Sequence, residues 1–389
     1  MSAPITLTAA ENRLFADLPE GEVAEALRSR GLPTRRTEAW KWSDLRASLR
    51  DEKAASGAYG GDDPAPLLDV PGAVTLTCRN GAWAVPDLPD GRRVSLDAPR
   101  PAVLPDADLG SLATAARVLT VEVDAGFDAP LIVRRLSDGE GAHADRLDLR
   151  LAPHGRAALI ETHEAAGSPF ANSLTELEIG EGARLVRTVV QPASPDAVIV
   201  HTALAALGPE AELSQHALTL GGALARHELR LRQDAGSRAV LDGLYKLSGR
   251  LHCDTTVHVD FTGEGAETSQ LVKGVASGRS RGVFQGKFHV ARGAQRTDAK
   301  MAHHALILEQ GAQANAKPEL EIYADDVECA HGNTVGALDA DHLFYLRQRG
   351  LSADAARALM VEAFAGEVLA RVADEDVRSR LETLFREAT

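Results

Sequence analysis

The sequence predicts a mainly β chain organised as a β-solenoid with helical segments at both ends. Three observations carry that prediction. From about residue 72 to 335, short apolar alternations such as Leu229, Leu231 and Val257, Val259, Phe261 are punctuated by glycine, and no amphipathic helical period interrupts them. Within that region a turn of glycine plus a small residue recurs at Gly155, Gly182, Gly236, Gly265, Gly293 and Gly311. Glu210-Ala211 fills the place between the second and third, and the steps are 27, 28, 26, 29, 28 and 18 residues. A unit of strand, turn and strand at that length is too short for a domain and lacks a crossover helix, which suits stacked coils, with a β-sandwich as the alternative. The third observation is an aromatic content of 4%, which fits a narrow core of Val, Leu, Ile and Ala better than a barrel around a large cavity.

Composition sets the class. The 389 residues are 44% hydrophobic and 25% charged, enough for a large core and too ordinary for a disordered chain. A formal charge of -14, from 42 basic and 56 acidic residues, argues against a nucleic-acid partner. Met1 to Ala10 lacks a basic region followed by an apolar stretch, and no window approaches 18 consecutive apolar residues, so the expectation is a cytoplasmic protein without a membrane partner. Cys78, Cys253 and Cys329 are too few and too scattered for a disulfide framework, and each thiol is expected to be free.

Residues 1–50 read as a helical head. Thr8 and Glu11 have capping-box spacing, and Glu20 to Arg30 carries Val23, Ala24 and Leu27 on one face before Gly31 and Pro33. Residues 51–71 shift to Gly, Ala, Asp and Pro, a composition expected of a flexible linker. The β region of residues 72–335 follows. Beyond residue 336 the period becomes helical: Asp339 caps a helix ending near Gly350, Ser352 caps one running to about Val372, and Asp374 opens a third with Val377, Leu381, Leu384 and Phe385. Ala356, Leu359, Met360, Ala363, Phe364 and Val368 form an apolar stripe on the second helix, which either packs internally or fits a partner's groove.

Several enzyme signatures dissolve on inspection. Gly278 to Gly282 matches G-x-S-x-G, but that chemistry needs a strand-to-helix turn and Val283 to Val290 reads as a strand. Gly286-Lys287 resembles the end of a phosphate loop, yet Arg281 stands where its first glycine belongs and Phe288 where Ser or Thr would hold magnesium, so no ATP binding is expected. His303 and His304 point to opposite faces of a strand, and His252 and His258 are about 20 Å apart on one, so neither pair chelates.

The segment from Lys317 to Leu338, KPELEIYADDVECAHGNTVGAL, is a strand, an acidic turn at Asp325-Asp326, and then Cys329 and His331 at i, i+2. On an extended chain both side chains leave one face about 6 to 7 Å apart. Thiolate and imidazole are donors that iron and zinc prefer. Two donors do not close a site, so the others come from another chain, or the pair is a buried thiol beside a capping histidine.

Two motifs in this sequence resemble the SufB/SufD scaffold family of the SUF iron–sulfur cluster assembly system, on its SufD side. One is Gly31 to Leu45, GLPTRRTEAWKWSDL, similar to that branch's P-x-x-x-x-E-x-W-K signature; the other is Lys317 to Gly350, with EIYADDVECAHGNTVG and DHLFYLRQRG. With the order of head, β region and tail, the resemblance spans the chain. It implies a right-handed parallel β-helix flanked by helices, acting in a complex with a SufB-like paralogue and two copies of a SufC-like ATPase. It implies that His331, with Cys329 beside it, contributes to a transient iron–sulfur cluster or iron shared with the SufB-like chain. It also assigns Leu359, Met360, Ala363 and Phe364 to docking of the ATPase. The strand KMAHHALIL, Lys300 to Leu308, lacks near Ala302 the cysteine that SufB proteins carry there. The expected function is therefore a non-enzymatic scaffold, which pairs with a copy of itself when alone. The alternative is a β-solenoid enzyme acting on carbohydrates or esters.

Overall fold

The protein's structure, a computed structural model, describes residues 5–16, 18, 22–49, 56–84, 92–98, 113, 116–125 and 129–388. Glu20 and residues 51–55, part of the expected head and linker, lie outside them, as do residues 1–4. The described β region is a parallel β-solenoid of about eight coils. Strands are numbered in chain order. One sheet stacks β5 (Leu131–Ser137), β7 (Arg156–Ala165), β9 (Arg184–Gln191), β11 (Glu212–Thr219), β13 (Arg238–Leu247), β15 (Glu267–Ala276), β17 (Asp298–Ile307) and β19 (Glu328–Gly336). The other stacks β4 (Val118–Val123), β6 (Ala142–Leu151), β8 (Phe170–Ile179), β10 (Ser194–Leu207), β12 (Gly222–Gln233), β14 (His252–Phe261), β16 (Arg281–Val290) and β18 (Gln313–Ile322). Each coil contributes one strand to each sheet.

Pairing is parallel and in register. Arg156, Arg184, Glu212, Arg238, Glu267, Asp298 and Glu328 stack in steps of 28, 28, 26, 29, 31 and 30 residues. Because side chains alternate, every second residue of a strand enters the interior and stacks on its counterpart one coil away. Leu159, Leu185, Leu213 and Leu241 on one sheet and Leu149, Leu177, Ala205, Leu231 and Val259 on the other fill one continuous core.

The corners explain the glycine period and correct part of it. At each of six corners a residue in the left-handed region donates its N–H to the carbonyl of the next corner: His154 to Glu181, Gly182 to Pro209, Glu210 to Ala235, Gly236 to Glu264, Gly265 to Gln295 and Arg296 to Asp326. The left-handed residue is thus His154 rather than Gly155, and Arg296 rather than Gly293. Gly311 is not in this series: it lies at the opposite corner, between β17 and β18, which accounts for the 18-residue step. That opposite corner has its own run of left-handed glycines, Gly139, Gly167, Gly221, Gly249, Gly278 and Gly311. The buried small residue after the first corner, Ala183, Ala211, Ala266 or Thr297, lets the chain turn without a gap in the core.

One aromatic is placed by glycine. Tyr245 faces inward on β13, its Cα paired with Gly274 of β15, and a Cβ on Gly274 would fall inside the tyrosine ring. Gly274→Ala is therefore expected to destabilise the fold by about 1–3 kcal/mol, the usual cost of overpacking a full core. A urea midpoint unchanged from the parent would show that Tyr245 has room to move.

Outside the sheets lie two helical layers. Thr8 and Glu11 form a capping box, Thr8 N donating to Glu11 Oε2 at 2.6 Å and Glu11 N to Thr8 Oγ1 at 3.2 Å, at the start of helix Ala9–Ala16. With helix Glu22–Arg30 and the Gly31–Leu45 motif it covers Phe170, Val198, Val200 and Leu224 on the second sheet. Helices Ala340–Gln348, Ala353–Leu369 and Glu375–Glu387 follow β19, capped by Asp339, Ser352 and Asp374. The last two cover Ile160, Val190, Leu218, Leu244 and Leu271 on the outer face of the first sheet. Strands covered on both faces read as almost continuous apolar runs, as in Ala197 to Leu207. Residues 56–71 have no helix or strand and run along the coils, with Leu68 buried, Ser56 N bonded to Ala142 O and Asp63 paired with Arg79. Among the described residues no helix is long and apolar enough to cross a membrane.

Candidate functional site

The two ends of the solenoid differ. At the beginning, β1 (Val74–Arg79) extends the first sheet and the short antiparallel β2 (Ala82–Ala84) ends it, while antiparallel β3 (Arg92–Asp97) ends the second. At the other end β18 and β19 are the last strands, and no element among the described residues pairs with their outer edges. A row of backbone donors and acceptors is left there, ready for another strand.

Cys329 and His331 sit on that last strand. Their Cα partners on β17 are Ala299 and Met301, both buried in the core, so the pair occupies the inward-facing row of the uncovered coil. Cys329 is half-buried against the core and burial pushes its thiol pKa up; His331 is exposed. Asn333 continues the row, its Oδ1 2.7 Å from His303 Nδ1. His303 is fully buried, its Nε2 3.1 Å from the Tyr245 hydroxyl and its ring stacked on Phe284 at 4.9 Å. Burial holds His303 to a pKa of about 4. Nδ1–H donating to Asn333 and Nε2 accepting from Tyr245 satisfies both contacts. A hydrogen-bonded line thus runs inward from beside His331, and Ile322, Tyr323 and Val335, 40–58% exposed, add apolar surface to the same last coil. The arrangement offers a thiol and an imidazole on an open edge, half of a tetrahedral site.

The residues of the apolar helical stripe do not share one environment. Ala356, Val361, Ala365, Val368 and Leu369 are the buried face of helix Ala353–Leu369. Met360 and Phe364 are half-buried, and the Phe364 ring lies beneath Lys273 Nζ at 4.4 Å while its carbonyl accepts from the same ammonium at 3.1 Å. Leu359 and Ala363 are exposed, as are Phe344 and Tyr345 on the preceding helix.

The Gly31–Leu45 motif is a clasp. The buried Trp40 ring stacks 4.2 Å from the Arg226 guanidinium, and Gln285 Nε2 donates to Ala39 O at 3.0 Å. Ser43 Oγ lies 3.2 Å from His252 Nε2 and donates to Asp254 Oδ2. This brings a serine, a histidine and an aspartate together, but Asp254 is held by Arg226 at 2.8 Å, the serine proton is taken by the carboxylate, and Ser43 is fully buried. A nucleophile whose base accepts its proton and is oriented by a third group is not what these contacts form.

Inside the middle coils lies a polar cluster that sequence reasoning missed. Glu161 Oε2 accepts from Arg187 at 2.9 Å and from Arg135 at 3.4 Å, and Arg135 also pairs with Asp145 at 2.7 Å. Three imidazoles surround it: the His163 and His201 centroids are 4.3 Å apart, with His227 5.7 and 5.6 Å from them. Burial drives His163 and His201 well below the usual histidine range and His227 to about 4. The signal was present in the period: His201 and His227 are partners in adjacent coils, one repeat apart.

Comparison with known proteins places this architecture. The family described as "SUF system FeS cluster assembly, SufBD core domain" matches residues 134–364, more than half of the chain. The chain is similar to the iron–sulfur cluster assembly protein SufD of Escherichia coli, 28% identical over 375 residues covering 90% of this chain and 88% of the relative. An iron–sulfur cluster assembly SufBD family protein of Mycobacterium bovis is 30% identical over 90% of this chain and 87% of its own length. Another, from Synechocystis, is 35% identical over 54% of this chain, and the match spans about half of that relative, 47%.

Proposed function

The chain belongs to the SUF-system SufBD core family, which supports a role in iron–sulfur cluster assembly, and from that premise we propose that it is a SufD-type scaffold subunit without catalytic chemistry of its own. The observation that carries the reading is the uncovered last coil, with Cys329 and His331 on its inward row. Addition of a SufB-like chain at that edge would cover the exposed Ile322, Tyr323 and Val335 and bring the remaining ligands. The cluster or iron is cargo, held between the two chains during assembly. A SufC-like ATPase docks on the exposed side of the C-terminal helices at Leu359, Met360 and Ala363, with Phe364 beneath and Phe344 and Tyr345 alongside. Movement there reaches the coils through Lys273, which pairs with Glu367, and through Arg371, 2.9 Å from Asp242 of β13. The compartment is cytoplasmic, and this chain binds no ATP itself.

The test is recovery of the tagged chain from its own host with its partners counted by mass spectrometry. The expected result is one SufB-like chain and two SufC-like ATPases per copy; recovery of this chain alone refutes the assembly. Leu359→Glu puts a charge into an apolar contact at an exposed position, so it is expected to leave the fold intact and weaken ATPase capture at least 10-fold, a loss of about 1.4 kcal/mol or more. Undiminished capture would move the docking surface elsewhere. The same open edge favours self-pairing of the isolated chain, read as a dimer by light scattering.

A further inference from the structure

We propose that Glu161, His163 and His201, with His227 as a fourth donor, form a metal site inside the solenoid for a divalent ion of the zinc, ferrous or cobaltous class. It is independent of the Cys329 and His331 pair on the last strand. The ligand atoms of Glu161, His163 and His201 lie within 4.8 Å of one another, and all three residues are buried. Metal–ligand bonds of about 2.0–2.2 Å require side-chain movements of about 1 Å to close that set. A cavity of about 30 Å³ lined by His201 and His227 leaves room for those two imidazoles to shift.

The second observation is a set of buried polar atoms without a use. Glu161 Oε1, His163 Nε2 and both nitrogens of His227 have no hydrogen-bond partner among the described residues. Buried donors and acceptors are nearly always satisfied, and a cluster of orphans around one point calls for an occupant. Three imidazoles and one carboxylate oxygen are the donor set of late first-row cations, and a hard magnesium or calcium ion would find too few oxygens.

Two arginines stand close and must be accounted for. Each has a partner other than Glu161: Arg135 holds Asp145 at 2.7 Å and Thr175 at 3.0 Å, and Arg187 holds the Gln215 side chain. Both contact Glu161 through Oε2, which leaves Oε1 as the free ligand atom; Arg187 also lies 3.3 Å from His201 Nε2 and has to turn away from that nitrogen for it to take up the ion. Their charge disfavours a cation, and bonds to three neutral imidazoles must outweigh it. Glu161 and His163 come from β7 in one sheet and His201 and His227 from β10 and β12 in the other, so the ion would join the sheets across the core.

The experiment uses the full chain carrying Cys329→Ser and His331→Ala, which removes the pair on the last strand. Refolded from urea with cobaltous ion, because the site is closed to solvent, it is expected to retain one ion per chain after gel filtration, with the visible absorption of tetrahedral cobalt. X-ray absorption should report a shell of nitrogen and oxygen with imidazole scattering and no sulfur. His163→Leu in that background is expected to weaken retention at least about 100-fold, beyond the loss of an outer-shell partner. Should His163→Leu fail to fold, the absorption spectrum of the parent still decides. No retained ion, a sulfur-containing or octahedral shell, or retention unaltered in folded His163→Leu would each overturn the site.

Discussion

His331→Ala is expected to abolish cluster formation by the assembled complex while leaving the complex intact. The imidazole is exposed on the last strand, so its loss opens no cavity, and substitutions at such positions usually change stability by no more than about 0.5 kcal/mol. The backbone pairing of His331 with Met301 is independent of the side chain. What disappears is one of two donors on the inward row of the open coil, and a site assembled from two chains has none to spare. Reconstitution with iron, a sulfur source and reductant should yield at least about 10-fold less cluster, judged by visible absorption, with subunit stoichiometry unchanged on gel filtration. Cys329→Ser tests the neighbour: its thiol is half-buried and its pKa raised, so it binds only when metal displaces the proton. Full cluster yield from His331→Ala would remove the histidine from the site. Disassembly of the complex would make it an interface residue instead.

The solenoid was legible because its period is carried by residues with a geometric task. Gly182, Gly236 and Gly265 occupy left-handed corners, and Ala183, Ser237 and Ala266 are the buried small residues after them. Reading failed where another residue bears the same strain beside a glycine: His154 and Arg296 hold positive φ with hydrogen bonds to the next corner in place of glycine's freedom, whereas Glu210, which does the same, was placed by the spacing alone. Gly311 misled because both corners of a coil use glycine, and two interleaved series look like one with a broken step. The helix caps were legible since each is a local matter of three or four residues, as in Thr8 with Glu11 and Asp374 with Val377. The division of the Ala353–Leu369 helix into a buried and an exposed side was not, because the sheet decides which side it covers. At the open end, the Cys329 and His331 spacing could be read, while Asn333, His303 and Tyr245 behind them are joined only by stacking across three coils. Polar residues inside the coils were hidden for the same reason: on the period, Glu161 and His163 look like the solvent side of an alternating strand.

Acid is expected to unfold the chain well above the usual carboxylate range, and buried histidines set the window, three of them outside the interior cluster. His143, His252 and His303 each have a folded pKa of about 4, with burial the largest cause in every case. The charges facing them are Asp145 and Asp138 for His143, Asp254, Arg281, Arg35 and Arg226 for His252, and His304 for His303, and burial outweighs the favourable ones. In the unfolded chain a histidine titrates near 6.5. Between pH 6.5 and 4 the unfolded state therefore binds protons that the folded state refuses, so stability is complete above 6.5 and falls as pH drops. At pH 5 each histidine costs about 2 kcal/mol and the three about 6, comparable with the whole stability of an ordinary domain. Glu161 and Glu228, whose folded pKa values lie below the ordinary value, act in the same direction only at lower pH, since their unfolded forms protonate near 4.5. Urea midpoints measured from pH 7.5 to 5 at constant ionic strength should fall steadily below 6.5, and His303→Gln should reduce the slope by about a sixth whatever it does to the midpoint at pH 7.5, because burial holds His163, His201 and His227 neutral in the same way. A flat midpoint down to pH 5 would mean that water reaches these imidazoles and that the solenoid opens locally around them far more readily than its packing implies.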